Sequence, residues 1–184
     1  PSEASKTGLA GLASNANELG ANSDAFNAAG AMAKLLRHRD FLARWAVERE
    51  KSDVFSLALL RVSPHLPGEQ GARAINAAWV KAVHFCNDMF NPHACAARYG
   101  QHSLIYFIPN ETPQQICEQF KLLCSELERT LGVDAAVGIA MYPFLNYRKS
   151  DVLDNCSKAL DYAMLLEKPK VGLVGEILVK YHPT

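Results

Sequence analysis

Apolar and polar residues alternate along the chain in patterns that predict helices and strands in turn. Residues 24–50 contain no proline and carry apolar side chains at helical spacing, which predicts a helix with a break near Arg37 and His38. The next run, FSLALLRV (55–62), is almost continuously apolar and predicts a central strand covered on both faces. The apolar positions of the first helix are Met32, Leu35, Leu36, Leu42 and Trp45.

Further helices are predicted where apolar residues recur every three or four positions. One stops before Asn91 and Pro92, and another begins at Thr112 as N-cap, with Pro113 in its first turn, and ends at Gly132. Ser150 is predicted to cap the last helix. The apolar faces of these helices are Ile75, Trp79, Val83 and Cys86, then Ile116, Phe120, Leu123 and Leu127, then Val152, Leu153, Leu160 and Ala163.

Strands are predicted between these helices. ARYGQHSLIYFIP (97–109) reads as two short strands joined by a turn at Gly100, VDAAVGIAMY (133–142) as one strand, and VGLVGEILVKY (171–181) as two strands around Gly175. The order of elements predicts an α/β (α+β) domain with a mixed central sheet flanked by helices. Its core is close to a ferredoxin-like β-α-β-β-α-β arrangement, with an N-terminal helical arm.

Composition narrows the classes of protein. Nineteen basic and nineteen acidic residues cancel, which argues against a nucleic-acid partner, and no apolar run is long enough for membrane insertion. Residues 1–23 are rich in Ala, Ser, Asn and Gly and are interpreted as a flexible linker or arm, which leaves 24–184 as the domain. The chain begins with Pro1 and is interpreted as a piece of a longer protein, which could be membrane-associated.

The odd number of cysteines, five, and the absence of a CxxC pair argue against a disulfide framework and favour a reducing, cytoplasmic location. His84 and Cys86, followed by His93 and Cys95, could suggest zinc, but structural zinc sites use tighter spacings. We therefore interpret the cysteines as small apolar core residues and expect no metal and no cofactor.

Several short stretches, in order from about residue 30 to 175, resemble the GGDEF domain, the catalytic unit of bacterial diguanylate cyclases. LLRHRDFLARW resembles the family's LxNRRxFLxxL, SLALLRVSPH resembles LALLDIDxFK, and ARYGQHSLIYFIP resembles ARYGGDEFxxLLP. VGIAMYP is similar to SIGIAxYP, and NCSKALDYAMLLEKPKVG is similar to RADxALYxAKxxGRN. The resemblance implies the GGDEF fold.

The same resemblance implies that the family's chemistry is degenerate in this chain. Two acidic residues of the family hold magnesium ions, and the matching positions here are Arg61, with Ser63 nearby, and His102. The signature turn aligns with Gly100, Gln101, His102, Ser103 and Leu104. Because a guanidinium repels a divalent cation, the resemblance predicts that the domain is not an enzyme.

Other positions of the family differ as well. Gln101 replaces a glycine that lets a nucleotide approach the backbone, and Met164 replaces a lysine that faces phosphate. Asn91 and Ala94 replace the charged residues of the family's inhibitory product site.

Two arginines remain candidates for contact with a phosphate. Arg98 could bind one or could be a structural strand-end residue, and Arg61 could form an ion pair with a neighbour or reach an anionic ligand. His102 could act as a general base, but no partner in the sequence orients it, and a turn histidine is usually solvated. Gly100 is expected to adopt a positive φ angle in the turn.

The main expectation is a catalytically inactive regulatory or protein-interaction domain of a bacterial protein for cyclic di-GMP signalling or exopolysaccharide secretion. Its partner would be another protein, a neighbouring domain or a second copy of the chain. The alternative is a nucleotide sensor that binds GTP or cyclic di-GMP without turnover. A different enzyme on the same scaffold is a third hypothesis, for which no orienting acid can be placed beside His102 and Ser103.

Overall fold

The computed structural model describes residues 35–175. Four helices and five strands alternate along this range in the order predicted from the sequence. The helices are α1 (His38–Lys51), α2 (Gly68–Met89), α3 (Pro113–Leu131) and α4 (Val152–Ala163), and a 3-10 turn (Lys149–Asp151) precedes α4. The strands are β1 (Phe55–Pro64), β2 (Cys95–Arg98), β3 (Ser103–Pro109), β4 (Val133–Tyr142) and β5 (Lys170–Leu173).

The five strands form one sheet in the order β2-β3-β1-β4-β5. Leu57 at the middle of β1 lies opposite Phe107 of β3 on one side and Ala140 of β4 on the other, and both pairings are antiparallel. The pairing of β2 with β3 is also antiparallel, whereas β5 runs parallel to β4. The ferredoxin-like core, the mixed sheet and the central position of the 55–62 run are therefore confirmed.

Each face of the sheet is covered by two helices. Phe55, Leu57 and Leu59 of β1 belong to the buried cluster that also holds Phe41 and Trp45 of α1 and residues of α4. The intervening β1 residues point to the opposite face, because side chains alternate along a strand.

On that opposite face, Tyr106 of β3 ties the sheet to α2 and α3. Its hydroxyl donates a hydrogen bond to the carbonyl oxygen of Ala82 at 3.0 Å, and its ring lies edge-on to Phe120 at 5.1 Å. Burial on both faces explains why the strand patterns read as continuous apolar runs.

Helix α4 lies unusually close to β4. A Cβ atom added at Gly138 would fall 2.1 Å from the backbone nitrogen of Leu160, so only glycine allows this approach. The Cys156 sulfur lies 3.3 Å from the carbonyl oxygen of Gly138 and 3.4 Å from that of Leu57. This contact helps to set where the end of α4, and therefore Met164, meets the sheet.

Two details differ from the predictions. The first helix begins at His38, where a break was predicted, but Leu36 is not part of a helix. Leu36 pairs with Ala97 at the edge of β2, where Arg98 donates a backbone hydrogen bond to the Leu36 carbonyl at 3.0 Å. Ser150 lies inside the 3-10 turn and is not the helix cap; the backbone N–H of Arg148 donates to Asp151 Oδ2 at 2.8 Å there. The second strand predicted within 171–181 and the arm before residue 35 lie outside the described residues, so the boundary at residues 23 and 24 stays a prediction.

Within residues 35–175, none of the helices combines the length and apolar character needed to span a bilayer.

Candidate functional site

A small polar pocket lies where β1 ends beside the start of β4. Arg61 pairs with Ala136 and Ser63 with Asp134 across the two strands, so these side chains share one face of the sheet. Lys170 of β5 pairs with Ala136, so its side chain lies on the same face of the sheet as those of Arg61 and Asp134. The cavity has a volume of about 60 Å³ and is lined by Arg61, Ser63, Asp134, Ala135, Ala136, Met164 and Lys170.

The charges of this pocket are unevenly paired. Asp134 accepts a hydrogen bond from Lys170 at 3.2 Å and lies 3.8 Å from the ammonium of Lys168. Lys168 also pairs with Glu128, and this hydrogen bond raises the pKa of the lysine, which therefore stays protonated. Arg61 makes no ion pair within the described part of the chain; its Nη1 atom lies 3.9 Å from the sulfur of Met164, a weak acceptor.

The two arginines singled out from the sequence point to opposite faces of the sheet. Arg98 pairs with Leu104, and Leu104 pairs with Leu60, so Arg98 shares the face of Leu60 and not that of its neighbour Arg61. Both side chains are exposed. They therefore cannot grip one phosphate from the same side of the sheet, and each contact with a ligand stays a separate prediction.

The signature turn is held by backbone hydrogen bonds. Tyr99 donates to the Ser103 carbonyl at 2.9 Å, and Val62 of β1 donates to the His102 carbonyl at 3.1 Å. Gly100 has a φ angle of +95°, which confirms the expected positive value, and no atom lies within 4 Å of a Cβ built there. Gln101 and His102 are exposed, and the turn does not line the pocket.

Asp134 and Lys170 are site residues that the sequence analysis missed. Asp134 lies more than 70 positions from Arg61 in the sequence, and Lys170 lies more than 100 positions from it. Only the register of the sheet brings the three residues together. A signal was available, because the start of β4 must lie opposite the end of β1 in an antiparallel ferredoxin-like core. Met164 was identified from the resemblance, and the structure places it in the pocket.

The donors of this pocket do not fit the magnesium ions that the resemblance implies. The carboxylate of Asp134 is paired with lysines, and the guanidinium of Arg61 stands beside it, whereas magnesium prefers several free oxygen ligands. Among residues 35–175, no three His, Cys, Asp or Glu side chains come together as a metal site.

Cys86, which the sequence analysis weighed as a zinc ligand, is buried in α2. Burial raises the pKa of Cys86 to about 12, which keeps its thiol protonated.

Comparison with known proteins rests on structure. The sequence matches no protein-family model and no curated protein. The structure is similar to the coiled coil and GGDEF domain of DgcB from Caulobacter crescentus bound to c-di-GMP, with a TM-score of 0.62 and 16% identity over 90% of this chain and 98% of that one. It is also similar to the diguanylate cyclase SiaD from Pseudomonas aeruginosa in complex with its activator SiaC, with a TM-score of 0.60 and 18% identity over 94% and 75% of the two chains.

A third similar structure is the active GGEEF domain of a diguanylate cyclase from Vibrio cholerae. Its TM-score is 0.60 and its identity 11%, over 77% of this chain and 98% of that one. The chain described here therefore has a GGDEF, diguanylate cyclase-like, fold, which confirms the resemblance seen in the sequence.

The prediction that the domain is not an enzyme is wrong. The fold is one that active diguanylate cyclases adopt, as the Vibrio cholerae domain shows. The prediction considered only Arg61, with Ser63 nearby, and His102 as positions for acidic groups. The structure brings a further carboxylate, Asp134, to the same pocket from β4.

Proposed function

We propose that this domain has a regulatory role in bacterial cyclic di-GMP signalling and senses a guanine nucleotide through a phosphate contact at Arg61. The observation that carries this proposal is the guanidinium of Arg61, which has no acidic partner within residues 35–175 and faces a pocket at the end of the central strand. The fold supports the class of ligand, since the similar DgcB structure is bound to c-di-GMP.

The charges around Arg61 favour an anion. The carboxylates of Asp134 and Glu128 are each offset by a lysine, Lys170 and Lys168 respectively, so the positive charge of Arg61 is in excess. A guanidinium can donate two parallel hydrogen bonds to a phosphate, and such charge-assisted bonds are stronger than neutral ones. The thioether of Met164 offers little competition, because sulfur is a weak acceptor.

The size of the pocket limits what enters it. A water molecule needs about 10–15 Å³ on a comparable measure, so a cavity of about 60 Å³ has room for a few waters or a phosphate group. The sugar and base would lie outside, over the exposed surface next to the Gly100 turn, where no atom lies within 4 Å of a Cβ built on Gly100.

Isothermal titration calorimetry tests this proposal with cyclic di-GMP and GTP, and with ATP to test the preference for guanine. Loss of a charge-assisted hydrogen bond weakens binding by about ten- to hundredfold, so we expect Arg61→Ala to do so and Arg61→Lys to restore part of the affinity. Arg44→Ala is the matched control, because that exposed arginine lies on α1 and does not line the pocket. No heat with either guanine nucleotide, or equal loss in both alanine variants, contradicts the proposal.

A second candidate is regulation through protein contacts, as the sequence analysis expected. An apolar groove between α2 and α3 favours it, with a volume of about 460 Å³ and the exposed side chains of Met89 and Leu122. The similar SiaD structure contains an activator protein. The two candidates are compatible, since the groove and the Arg61 pocket share no residue.

A further inference from the structure

Two large apolar side chains, Met89 and Leu122, are exposed at the groove between α2 and α3. The side chain of Leu122 is 65% exposed and that of Met89 is 51% exposed. Phe85 forms part of the groove and lies against the buried ring of Phe120 at 5.0 Å, so the lining rests on a rigid aromatic cluster. A partner that covers this groove would bury both exposed side chains.

Four exposed residues form a stripe along α3 beside this groove. Glu118, Leu122, Ser125 and Arg129 follow one another at intervals of four, three and four positions, which places them on one face of the helix. This is also the spacing of a two-helix seam in a coiled coil. Within residues 35–175, neither Glu118 nor Arg129 forms an ion pair, whereas the neighbouring Glu126 is paired with Lys81 at 3.1 Å.

The stripe of one copy is complementary to the stripe of a second copy when the two α3 helices run antiparallel. If two copies of α3 lie antiparallel about a two-fold axis midway between residues 123 and 124, each Glu118 meets Arg129 of the second copy. Leu122 then meets Ser125 of the second copy, so a large side chain faces a small one. The same operation produces each contact twice, as a two-fold interface requires.

We propose that the occupant of this groove is a second copy of the chain, joined through antiparallel α3 helices. The stripe supplies opposite charges at both ends and an apolar centre, and Phe85 and Met89 flank the centre. An interface of one helix pair is small, so its dissociation constant is on the order of micromolar or weaker. This dimer is independent of nucleotide binding, because Arg61 is no part of it.

Sedimentation velocity over a concentration series tests the dimer through charge exchange. We expect Glu118→Arg and Arg129→Glu each to raise the dissociation constant at least about tenfold, since each places like charges opposite one another twice. The double variant restores opposite charges and is expected to dimerise again. An equimolar mixture of the two single variants forms a heterodimer, because both of its contacts then join Arg to Glu.

Leu122→Ser is expected to weaken the dimer, while Leu66→Ser, at a loop leucine that is 57% exposed, leaves it unchanged. Higher salt weakens association by screening the charged contacts. The proposal is overturned if the wild-type chain stays monomeric at about 1 mM, or if it dimerises and the single charge variants dimerise equally well. Arg61→Ala dimerises normally, so failure of the dimer and failure of nucleotide sensing are distinguished.

Discussion

Arg61 shows how much of the candidate site a single residue reveals. The resemblance singled it out because a basic side chain stands where the family has a metal-binding acid, and the structure places it in the pocket. The sequence does not decide whether Arg61 forms an ion pair or reaches an anionic ligand, because that depends on residues distant in the sequence. The sheet register decides it: Asp134 is close, but the lysines that follow α4 pair with its carboxylate.

Gly138 of β4 has no room for a side chain, because the backbone of α4 lies directly against it. Replacing it with alanine puts a methyl group 2.1 Å from the Leu160 nitrogen and 2.5 Å from its Cα, so backbone must move. We expect Gly138→Ala to lower the free energy of unfolding by about 3 kcal/mol, at the upper end of overpacking effects. Urea denaturation followed by circular dichroism measures this.

Gly175 provides the control for that substitution. A Cβ built there meets only the ring of Phe144 at 3.6 Å, an ordinary contact. We expect Gly175→Ala to change the free energy of unfolding by less than about 0.5 kcal/mol, as surface substitutions usually do. Equal effects of the two alanines would show that the close approach of α4 to β4 is not what holds this helix.

At the level of elements, helix caps were predicted with mixed success. Thr112 was identified as a cap and its side-chain oxygen accepts a hydrogen bond from the Gln115 backbone at 3.3 Å. Ser150 has the same favourable residue type but lies within the 3-10 turn, where Asp151 supplies the acceptor for a backbone N–H. Residue type alone does not distinguish these cases, because the entry path of the chain decides which oxygen reaches the helix.

The two caps make a direct comparison. We expect Thr112→Ala to lower the free energy of unfolding by about 1 kcal/mol, since the first turn of α3 loses an acceptor. Ser150→Ala is expected to have little effect, because the exposed serine caps no helix. Chemical denaturation of both variants measures the difference, and a larger loss at Ser150 would contradict the cap assignment.

For the whole molecule, the order of elements and the central strand followed from the sequence because both faces of the sheet are buried. Continuous apolar runs and helical faces report that burial wherever they occur. The edges of the sheet were less predictable. Leu36 lies at the edge of β2 through two backbone hydrogen bonds, which leave no mark in an apolar pattern. The pocket was not predicted for the same reason: the register of the strands brings its charged groups together, and the apolar pattern of the sequence does not show that register.

Stability of the whole chain should depend on alkaline pH. Burial raises the pKa of Cys86, Cys124 and Cys156 from 9.0 to about 12 in the folded chain. Because the unfolded thiols lose their protons near pH 9, the contribution of burial is complete below that pH and decreases as the pH rises toward 12. Calorimetric melting temperatures should therefore fall steadily above pH 9, and less steeply in Cys156→Ala. A melting temperature constant to pH 11 would contradict this.

The role of Arg61 is the central claim, and a crystal structure of the chain grown with cyclic di-GMP tests it most directly. We predict a phosphate oxygen about 3 Å from the Arg61 guanidinium, with the contact to Met164 broken. A nucleotide bound elsewhere, with Arg61 still beside the sulfur of Met164, would contradict the account.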